Sequence, residues 1–493
     1  MKFDHNKINT LGELKKAGYK SRPIKDELRD NLREKLKMGE EVFHGIWGYE
    51  DTVIPELERA ILSRHNINLL GLRGQAKTRL ARLMINLLDE WLPYVEGSEI
   101  NDDPFDPISR TAKEIIEENG DSTPIGWINR SDRYYEKLAT PDVTVADLIG
   151  DVDPIKAANL KLSYADDRVI HYGMIPRANR SIFVINELPD MQARIQVALF
   201  NILQERDIQI RGFKLRLPLD IQFVFTANPE DYTNRGNIVT PLKDRIGSQI
   251  LTHYPKSIEI SKKITQQESA IQKSQSDTVS VPSLALDLLE QISFQARASE
   301  FIDAKSGVSA RMSITAYENL LSTAEHRALV LGLKQTRVRM SDFMGIIPAI
   351  TGKVELVYEG EQEGAAIVAE KLLSESIRTL FEVYFPKIKK LKHSDERTPY
   401  EDVIEYFGGG NEFVLATDIN DEQYNAELKK VYPIEKLVMK YQPDTLKEDF
   451  PFLMEFVLWA LVEYSRLSKS KYETGFEFKD LFNSYLKGAI GGD

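Results

Sequence analysis

The sequence feature that most constrains the fold is one glycine-rich segment, Gly71-Leu72-Arg73-Gly74-Gln75-Ala76-Lys77-Thr78. A short apolar run at 67–70 leads directly into it. Apolar residues with helical spacing follow it, namely Leu80, Leu83, Met84, Leu87 and Leu88. Strand, glycine-rich loop and helix in this order are the context that the phosphate-binding pattern G-x-x-x-x-G-K-[ST] requires. The sequence therefore predicts a phosphate-binding loop at residues 71–78.

Each residue type in this loop has a role in holding a nucleotide. The positive end of the following helix and consecutive backbone N–H groups would face the phosphates. The loop residues predicted to bind them in this way are Gly71, Gly74, Gln75 and Ala76. Lys77 would neutralise the β- and γ-phosphate oxygens, and Thr78 would offer its hydroxyl to Mg²⁺. The expected ligands are ATP and Mg²⁺.

Ala76 stands where this pattern usually has glycine. A methyl group is the smallest addition that a side chain can make. We therefore expect residue 76 to adopt a φ angle that non-glycine residues tolerate.

Two further apolar runs, 182–185 and 221–226, have the composition of strands buried on both faces. The first ends in Asn186 and Glu187. An acid at such a strand end can polarise the attacking water, so Glu187 is the predicted general base. Asn186 stands where aspartate usually helps to hold hydrated Mg²⁺, and an amide there supplies no charge. The substitution is compatible with three outcomes, namely weaker Mg²⁺ binding, slower turnover and complete loss of hydrolysis. Asn228, after the second run, can orient a water or contact the γ-phosphate.

The distribution of these runs predicts the domain organisation. Between residues 43 and 255, short apolar runs alternate with helix-period segments, which indicates a three-layer α/β core with a mostly parallel sheet. We expect insertions between the first two strands and a β-hairpin around Gly212, where alternation runs in both directions. Residues 1–42 are predicted to be an N-terminal helical extension. A helical lid is predicted at 256–373 and a further helical region at 374–493.

The composition excludes several classes of protein. There is no cysteine, which excludes a disulfide scaffold, a thiolate zinc site and a cysteine nucleophile. A formal charge of −12 argues against nucleic acid as a partner. The most apolar stretch, 452–461, contains Glu455 and is far shorter than the roughly 20 residues of a membrane span. Since residues 1–20 also show no signal peptide, we expect a cytoplasmic protein without a membrane span.

The residues quoted above resemble the AAA+ superfamily, specifically its magnesium-chelatase and MoxR branch. The resemblance covers roughly residues 43–311, and the triplet Ala76-Lys77-Thr78 is similar to a version frequent in MoxR proteins. The longer runs that carry it are Asp147-Leu-Ile-Gly-Asp-Val-Asp153, Gly173-Met-Ile-Pro-Arg-Ala-Asn-Arg180 and Leu203-Gln-Glu-Arg-Asp-Ile-Gln-Ile-Arg-Gly212. The resemblance implies a P-loop AAA+ core followed by an α-helical lid.

The resemblance also implies roles for residues that the pattern alone does not assign. Ile46-Trp-Gly48-Tyr resembles a short box that contacts adenine, which implies binding roles for Ile46 and Gly48. Asn228 matches the polar residue called sensor 1, and Arg311 resembles sensor 2 in the lid. Arg245 resembles an arginine finger, which completes a neighbour's site across a ring interface by stabilising charge on the γ-phosphoryl group.

The function that the resemblance favours is a ring-forming, MoxR-like ATPase that couples ATP hydrolysis to remodelling of a protein partner. The family usually forms homo-oligomeric rings of six and acts with a von Willebrand factor A domain protein. The alternatives are a magnesium-chelatase-type motor for metal insertion and a nucleotide-binding assembly module with little hydrolysis. A DNA-remodelling relative is disfavoured by the charge. Transcription activators of the enhancer-binding type would need a Gly-Ala-Phe-Thr-Gly-Ala loop, which the sequence lacks.

Overall fold

The protein forms two compact units, Met1–Tyr254 and Pro255–Asp493. The computed structural model describes residues 5–162, 167–205, 208–210, 213–215, 217–229, 237–388, 398–472 and 475–481. The strands of the first unit are β1 (Ile67–Leu70), β2 (Trp91–Val95), β3 (Ile125–Asn129), β4 (Tyr134–Leu138), β5 (Gly150–Val152), β6 (Ile170–Tyr172), β7 (Ser181–Asn186), β8 (Ile208–Ile210), β9 (Phe213–Leu215), β10 (Ile221–Ala227) and β11 (Ser248–Leu251). Its helices are α1 (Leu11–Lys16), α2 (Ile24–Met38), α3 (Val53–Leu62), α4 (Lys77–Leu83), α5 (Arg110–Asn119), α6 (Val145–Leu148), α7 (Pro154–Leu160), α8 (Met174–Arg177), α9 (Ala193–Glu205) and α10 (Thr240–Arg245).

A five-stranded sheet in the order β11-β1-β10-β7-β4 forms the centre of the first unit, and every neighbouring pair is parallel. The three inner strands are buried along their whole length, as the sequence predicts. The registers pair Leu70 with Ala227 and Leu138 with Asn186. Because parallel strands end at the same edge, the residues that follow β1, β7 and β10 converge there.

Two apolar layers cover the faces of this sheet, so the predicted three-layer α/β core is confirmed. Side chains along each strand alternate between the layers. Ile182 and Val184 belong to the layer built with α2, α3 and α4, whereas Phe183 and Ile185 belong to the layer built with α9 and α10.

Three antiparallel pairs are inserted between the core elements, β2 with β3, β5 with β6 and β8 with β9. The first two lie between β1 and β7, where insertions are predicted. The third is the predicted hairpin, in which Ile208 pairs with Leu215 and Ile210 with Phe213. Gly212 lies outside the described residues.

The N-terminal segment contains the helices α1 and α2 and packs into the first unit. Ile24, Leu28 and Leu32 of α2 are buried in the same apolar layer as β1. Glu27 accepts two hydrogen bonds from the Arg133 guanidinium, at 2.8 and 2.6 Å, and both side chains are at most 2% exposed. This segment is therefore an integral part of the unit.

The second unit has mainly helical structure, with a small sheet that the sequence analysis does not anticipate. Its helices are α11 (Ile258–Glu268), α12 (Lys273–Thr278), α13 (Ser283–Ala298), α14 (Arg311–Leu331), α15 (Ile347–Thr351), α16 (Tyr358–Glu363), α17 (Ala365–Tyr384), α18 (Glu401–Gly408), α19 (Asp421–Lys429), α20 (Tyr432–Tyr441) and α21 (Phe450–Glu463). Its strands are β12 (Val279–Ser280), β13 (Thr336–Arg337), β14 (Phe413–Ala416), β15 (Leu467–Tyr472) and β16 (Gly475–Asp480). The last three form an antiparallel sheet in the order β14-β16-β15. None of the helices described in either unit has the length and apolar character that crossing a bilayer requires.

The predicted boundary between a lid at 256–373 and a separate region at 374–493 does not correspond to a structural division. Position 373 lies within α17, whose buried face continues across it from Leu372 to Ile377. One apolar core extends from Val279 to Phe478. The two predicted segments thus share a single core.

A buried polar cluster lies inside this second core. We call its members Arg327, Arg339, Asp342, Tyr424 and Glu455 the Arg339 cluster. The Arg339 guanidinium lies 4.1 Å from the centre of the Tyr424 ring and donates to Asp421 at 2.7 Å. Arg327 forms an ion pair with Asp342, which also accepts from the Arg339 backbone N–H at 2.8 Å. Glu455 accepts from the Met340 N–H at 2.9 Å and from the Tyr424 hydroxyl.

Candidate nucleotide-binding site

The predicted phosphate-binding loop lies where β1 ends. The Gly71 N–H donates to the Ala227 carbonyl at 3.1 Å, which joins the start of the loop to the end of β10. A Cβ at residue 71 would overlap the Thr252 hydroxyl and the Gln75 side chain, so this position requires glycine. Gly74 has φ of 72°. Gly71 is therefore required by a close approach of neighbouring side chains, and Gly74 by its left-handed backbone, before α4 begins.

The prediction of an ordinary backbone conformation at Ala76 is wrong. Its φ and ψ are 56° and 18°, in the left-handed region that glycine favours. A left-handed residue with a Cβ costs roughly 1–2 kcal/mol. Alanine is accommodated there because the loop is held on both sides by hydrogen bonds, and the strain lies directly beside Lys77 and Thr78.

Three side chains brace this loop through hydrogen bonds that the sequence does not predict. Thr252 Oγ1 donates to Gln75 Oε1 at 2.7 Å, and the Tyr254 hydroxyl donates to the Arg73 carbonyl at 3.0 Å. The Tyr49 hydroxyl contacts the carbonyls of Gln75, at 3.0 Å, and His253, at 2.7 Å. Burial raises the pKa of Tyr49 to about 12, so the hydroxyl keeps its proton and stays a donor at neutral pH.

Lys77 and Asn228 meet at the mouth of the loop. The Lys77 side chain is largely buried, and its Nζ donates to the carbonyls of Gly71 and Leu72 and, at 3.3 Å, to Asn228 Oδ1. Asn228 follows the last residue of β10 and is half-buried. A single ligand atom at this mouth would be within reach of both side chains.

Asn186 joins the loop to the neighbouring strand ends. Its Oδ1 accepts hydrogen bonds from Thr78 Oγ1 at 3.3 Å and from Thr226 Oγ1 at 3.1 Å. Thr226 in turn accepts from the Glu187 backbone N–H at 3.1 Å. Glu187 has φ of 55° and ψ of 50°, a left-handed conformation that turns the chain sharply as β7 ends. The residues predicted to hold Mg²⁺ and to activate water are therefore linked by adjacent hydrogen bonds.

Glu136 is the residue at this site that sequence reasoning misses. It lies in β4, next to β7, and its Oε1 accepts from Asn186 Nδ2 at 2.6 Å. Its Oε2 accepts from Arg82 Nη2 at 2.9 Å and from the Tyr134 hydroxyl at 3.2 Å. β4 is an edge strand with partly exposed residues and carries charges in its middle. The apolar run that reveals an inner strand is therefore absent there.

The remaining predicted residues are Ile46, Gly48 and Arg245 in the first unit and Arg311 in the second. Ile46 is buried in the apolar layer with α3, and Gly48 has φ of 80° and donates to Glu50 at 3.0 Å. Arg245 ends α10, is 39% exposed and donates to Gln204 at 2.7 Å. Arg311 begins α14 in the second unit and is exposed. Their roles stay predictions.

The donor set fits a nucleotide with Mg²⁺. A buried ammonium, a threonine hydroxyl and loop N–H groups suit phosphate oxygens and an ion that also binds phosphate. No group of three or more His, Asp or Glu side chains that could hold a metal lies among the described residues. Mg²⁺ usually takes few protein ligands and completes its shell with phosphate oxygens and water. Thr78 would be its direct ligand, with Asn186 next to it.

One family model matches the chain. Residues 160–247 match the model described as the Sigma-54 interaction domain. This segment contains β7, β10, Asn186, Glu187, Asn228 and Arg245. It supports the AAA+ core, whereas the loop that enhancer-binding activators require is absent from the sequence. No curated protein matches the chain significantly.

Several solved structures are similar over most of the chain, at low identity. A candidate ATPase from Cytophaga hutchinsonii is 17% identical with a TM-score of 0.30, covering 73% of this chain and 97% of that one. A complex of magnesium chelatase subunits BchI and BchD is 18% identical with a TM-score of 0.33, covering 65% and 98%. NtrX from Brucella abortus in complex with ADP is 13% identical with a TM-score of 0.37, covering 71% and 68%. Similarities this distant do not support an argument about function, which therefore rests on the residues of the site.

The parallel sheet and the matched segment agree with the α/β core that the sequence predicts. The chelatase and MoxR branch stays a prediction from the sequence motifs quoted above. The parallel sheet and the match of residues 160–247 to the Sigma-54 interaction domain are consistent with the AAA+ P-loop core that the sequence motifs indicate.

Proposed function

We propose that this protein binds ATP with Mg²⁺ and hydrolyses it. The observation that carries the proposal is the convergence of Lys77, Thr78, Asn186, Glu187 and Asn228 at the carboxyl ends of β1, β7 and β10. These three strands are adjacent in the sheet. A cation, a hydroxyl, a carboxylate and two amides carried by neighbouring strand ends are the groups that phosphoryl transfer to water requires.

Each group has a distinct role in the proposed reaction. Lys77 neutralises the β- and γ-phosphate oxygens, and Thr78 ligates Mg²⁺, which when bound supplies positive charge to the same oxygens. Glu187 accepts the proton of the attacking water. Asn228 orients that water from the end of β10. Asn186 receives the Thr78 hydrogen bond and stands where a charged residue is more usual.

The Glu187→Gln variant tests hydrolysis. We expect phosphate release at saturating ATP and Mg²⁺ to fall roughly 10²–10⁴-fold, because the amide cannot accept the water's proton. Binding of a fluorescent ADP analogue should stay within about two-fold of wild type. Glu56→Gln, an exposed carboxylate in α3, serves as the control and should leave the rate unchanged. Equal rates for Glu187→Gln and wild type would contradict the proposal.

We further propose that the protein works as a homo-oligomeric ring, of six subunits by its family, with Arg245 acting on the neighbouring subunit's nucleotide. The exposed position of Arg245 at the end of α10 supports this role. Arg245→Ala alone and Glu187→Gln alone should both be slow. Mixing the two variants should restore part of the activity, because a mixed interface combines an intact Glu187 with an intact Arg245. No recovery on mixing, or a monomer in the presence of a non-hydrolysable ATP analogue, would contradict it.

The work performed by the ring is proposed from the sequence resemblance. We favour MoxR-like, chaperone-like remodelling of a protein partner in the cytoplasm, with a von Willebrand factor A domain protein as the partner. A gene for such a protein beside this one, and ATP-dependent co-purification of the two products, would support the assignment. The alternative is a magnesium-chelatase-type motor for metal insertion, which would instead stimulate insertion of Mg²⁺ into a porphyrin.

A second candidate function is favoured by one observation, the uncharged Asn186. The protein would then be a nucleotide-binding assembly module with little hydrolysis. It predicts ATP-dependent assembly together with a rate of phosphate release that Glu187→Gln leaves unchanged.

A further inference from the structure

We propose that Glu136 supplies the negative charge that Asn186 lacks, and so serves as the acidic group that attracts and orients hydrated Mg²⁺ beside Thr78. This inference rests on the proposed binding of nucleotide with Mg²⁺. It assigns to β4 a function that is usually carried by the last residue of the neighbouring strand.

The hydrogen bonds around Asn186 fix the orientation of its amide. A carboxylate can only accept, so the amide group that faces Glu136 at 2.6 Å must be the Nδ2 donor. The carbonyl oxygen of Asn186 is thereby directed toward Thr78 and Thr226, whose hydroxyls donate to it. Glu136 therefore holds the Asn186 oxygen on the side of the predicted metal ligand.

The Glu136 carboxylate also lies close to Thr78, the predicted metal ligand. It is separated from the Thr78 hydroxyl by a single amide group, through hydrogen bonds of 2.6 and 3.3 Å. Its side chain is 28% exposed, so water has access to it. Mg²⁺ keeps several waters in proteins, and a carboxylate one water layer away still contributes charge and hydrogen bonds to them.

Arg82 and Tyr134 hold the other oxygen of this carboxylate. Arg82 is 64% exposed, so its ion pair with Glu136 is screened by solvent and offsets the charge only in part. The two bonds to Oε2 leave Oε1 directed at Asn186. The geometry thus orients the carboxylate without fully neutralising it.

The test compares nucleotide affinity with and without the metal. The wild-type protein is titrated with a fluorescent ADP analogue in Mg²⁺ and in EDTA, and the ratio of the two affinities gives the gain due to Mg²⁺. For Glu136→Gln we expect affinity in EDTA within about two-fold of wild type and a gain from Mg²⁺ that is roughly 10-fold smaller. The preserved affinity in EDTA shows that this variant is folded.

Two further variants separate a charge effect from a structural one. In Glu136→Gln/Asn186→Asp the carboxylate moves to the strand end, and the gain from Mg²⁺ should return to within about three-fold of wild type. In Arg82→Gln the carboxylate stays while a nearby cation is removed, so the gain should be unchanged or larger. Equal reductions in Glu136→Gln and Arg82→Gln would overturn the proposal, because loss of the ion pair alone would then explain both. An unchanged gain in Glu136→Gln would also overturn it, whereas absence of nucleotide binding by the wild type would instead refute the proposed function.

Discussion

The protein contains two polar networks that differ in where they lie and in what surrounds them. The network around Asn186 lies at the carboxyl edge of a parallel sheet, and its members Thr78, Glu136 and Glu187 reach solvent. The Arg339 cluster lies inside the apolar core of the second unit, and Arg339 is only 2% exposed. Both link side chains from several elements through hydrogen bonds of similar length.

The difference distinguishes a network that we propose binds a ligand from a network that supports the fold. In the first, the backbone is strained at Ala76 and Glu187, and cations and acceptors face an open edge. In the second, charged groups neutralise one another away from water, as buried ion pairs must. Burial raises the pKa of Asp342 and that of Glu455, the direction expected of acids removed from solvent. We therefore expect substitutions in the two networks to affect different measurements.

The largest expected effect is on the stability of the second unit. Arg339→Ala should lower its free energy of unfolding by about 3–5 kcal/mol, because it removes a large buried side chain that packs on the Tyr424 ring and donates to Asp421. Urea denaturation followed by circular dichroism measures this change. Lys334→Ala, an exposed control nearby in the sequence, should stay within about 0.5 kcal/mol of wild type. A loss below about 1 kcal/mol for Arg339→Ala would show that the cluster does not support the fold.

A comparable change at the sheet edge should affect binding instead. Lys77→Ala should weaken nucleotide binding about 30–100-fold, as loss of one or two charge-assisted hydrogen bonds predicts. Its free energy of unfolding without nucleotide should change by less than about 1 kcal/mol, since the ammonium is held mainly by loop carbonyls. Titration calorimetry and urea denaturation measure the two quantities, with Lys113→Ala as a charge-matched control. A large loss of stability with unchanged affinity would reverse the assignment.

A smaller effect is expected when a second acidic side chain is added to the network around Asn186. Asn186→Asp would set two carboxylates at the 2.6 Å contact that an amide now bridges. Like charges at this distance should lower the stability of the nucleotide-free protein by about 1–2 kcal/mol at pH 8. Adding Glu136→Gln should remove the loss, and so should ADP with Mg²⁺. Thermal unfolding with and without the ligand measures both, and a loss that persists in the double variant would count against the contact.

The smallest effect concerns Lys469, which lies beside the Arg339 cluster. Its Nζ is 3.3 Å from the centre of the Trp459 ring, whose indole N–H donates to Glu455 at 3.3 Å. Burial lowers the pKa of Lys469 from 10.5 to about 8. Between these pH values the unfolded chain binds more protons than the folded protein, so the stability of the folded protein rises as the pH increases from 8 to 10.5. Below pH 8 the folded protein bears the full free-energy cost of burying the charged ammonium.

Lys469→Met removes this cost. The variant should be more stable than wild type by about 1 kcal/mol at pH 7, and the difference should shrink by pH 10. Urea denaturation at the two pH values measures it. A difference independent of pH would show that packing, and not the charge of Lys469, determines the result.

The sequence predicts those parts of the molecule that a short stretch of consecutive residues is enough to recognise. The inner strands β1, β7 and β10 have continuous apolar runs, and the loop after β1 has fixed spacing. Both are therefore recognisable without a structure. The edge strands β4 and β11 are partly exposed and carry polar residues, so their sequences resemble loops. Glu136 is missed for that reason, although its carboxylate contacts the predicted Asn186.

Other features depend on contacts between distant segments. Tyr49 and Thr252 reach the loop from positions 26 and 177 residues away from Gln75. The φ angle of Ala76 is set by these hydrogen bonds and not by the preference of alanine. The misplaced boundary at 373 has a similar cause, because the second core is assembled from residues on both sides of it.

The hydrogen bond from the Tyr254 hydroxyl to the Arg73 carbonyl has a mechanical consequence. Tyr254 is the last residue of the first unit, and Pro255 begins the second. The carboxyl end of the first unit is therefore held against the predicted phosphate-binding loop by one side chain, so a displacement of the Arg73 backbone would strain this hydrogen bond first.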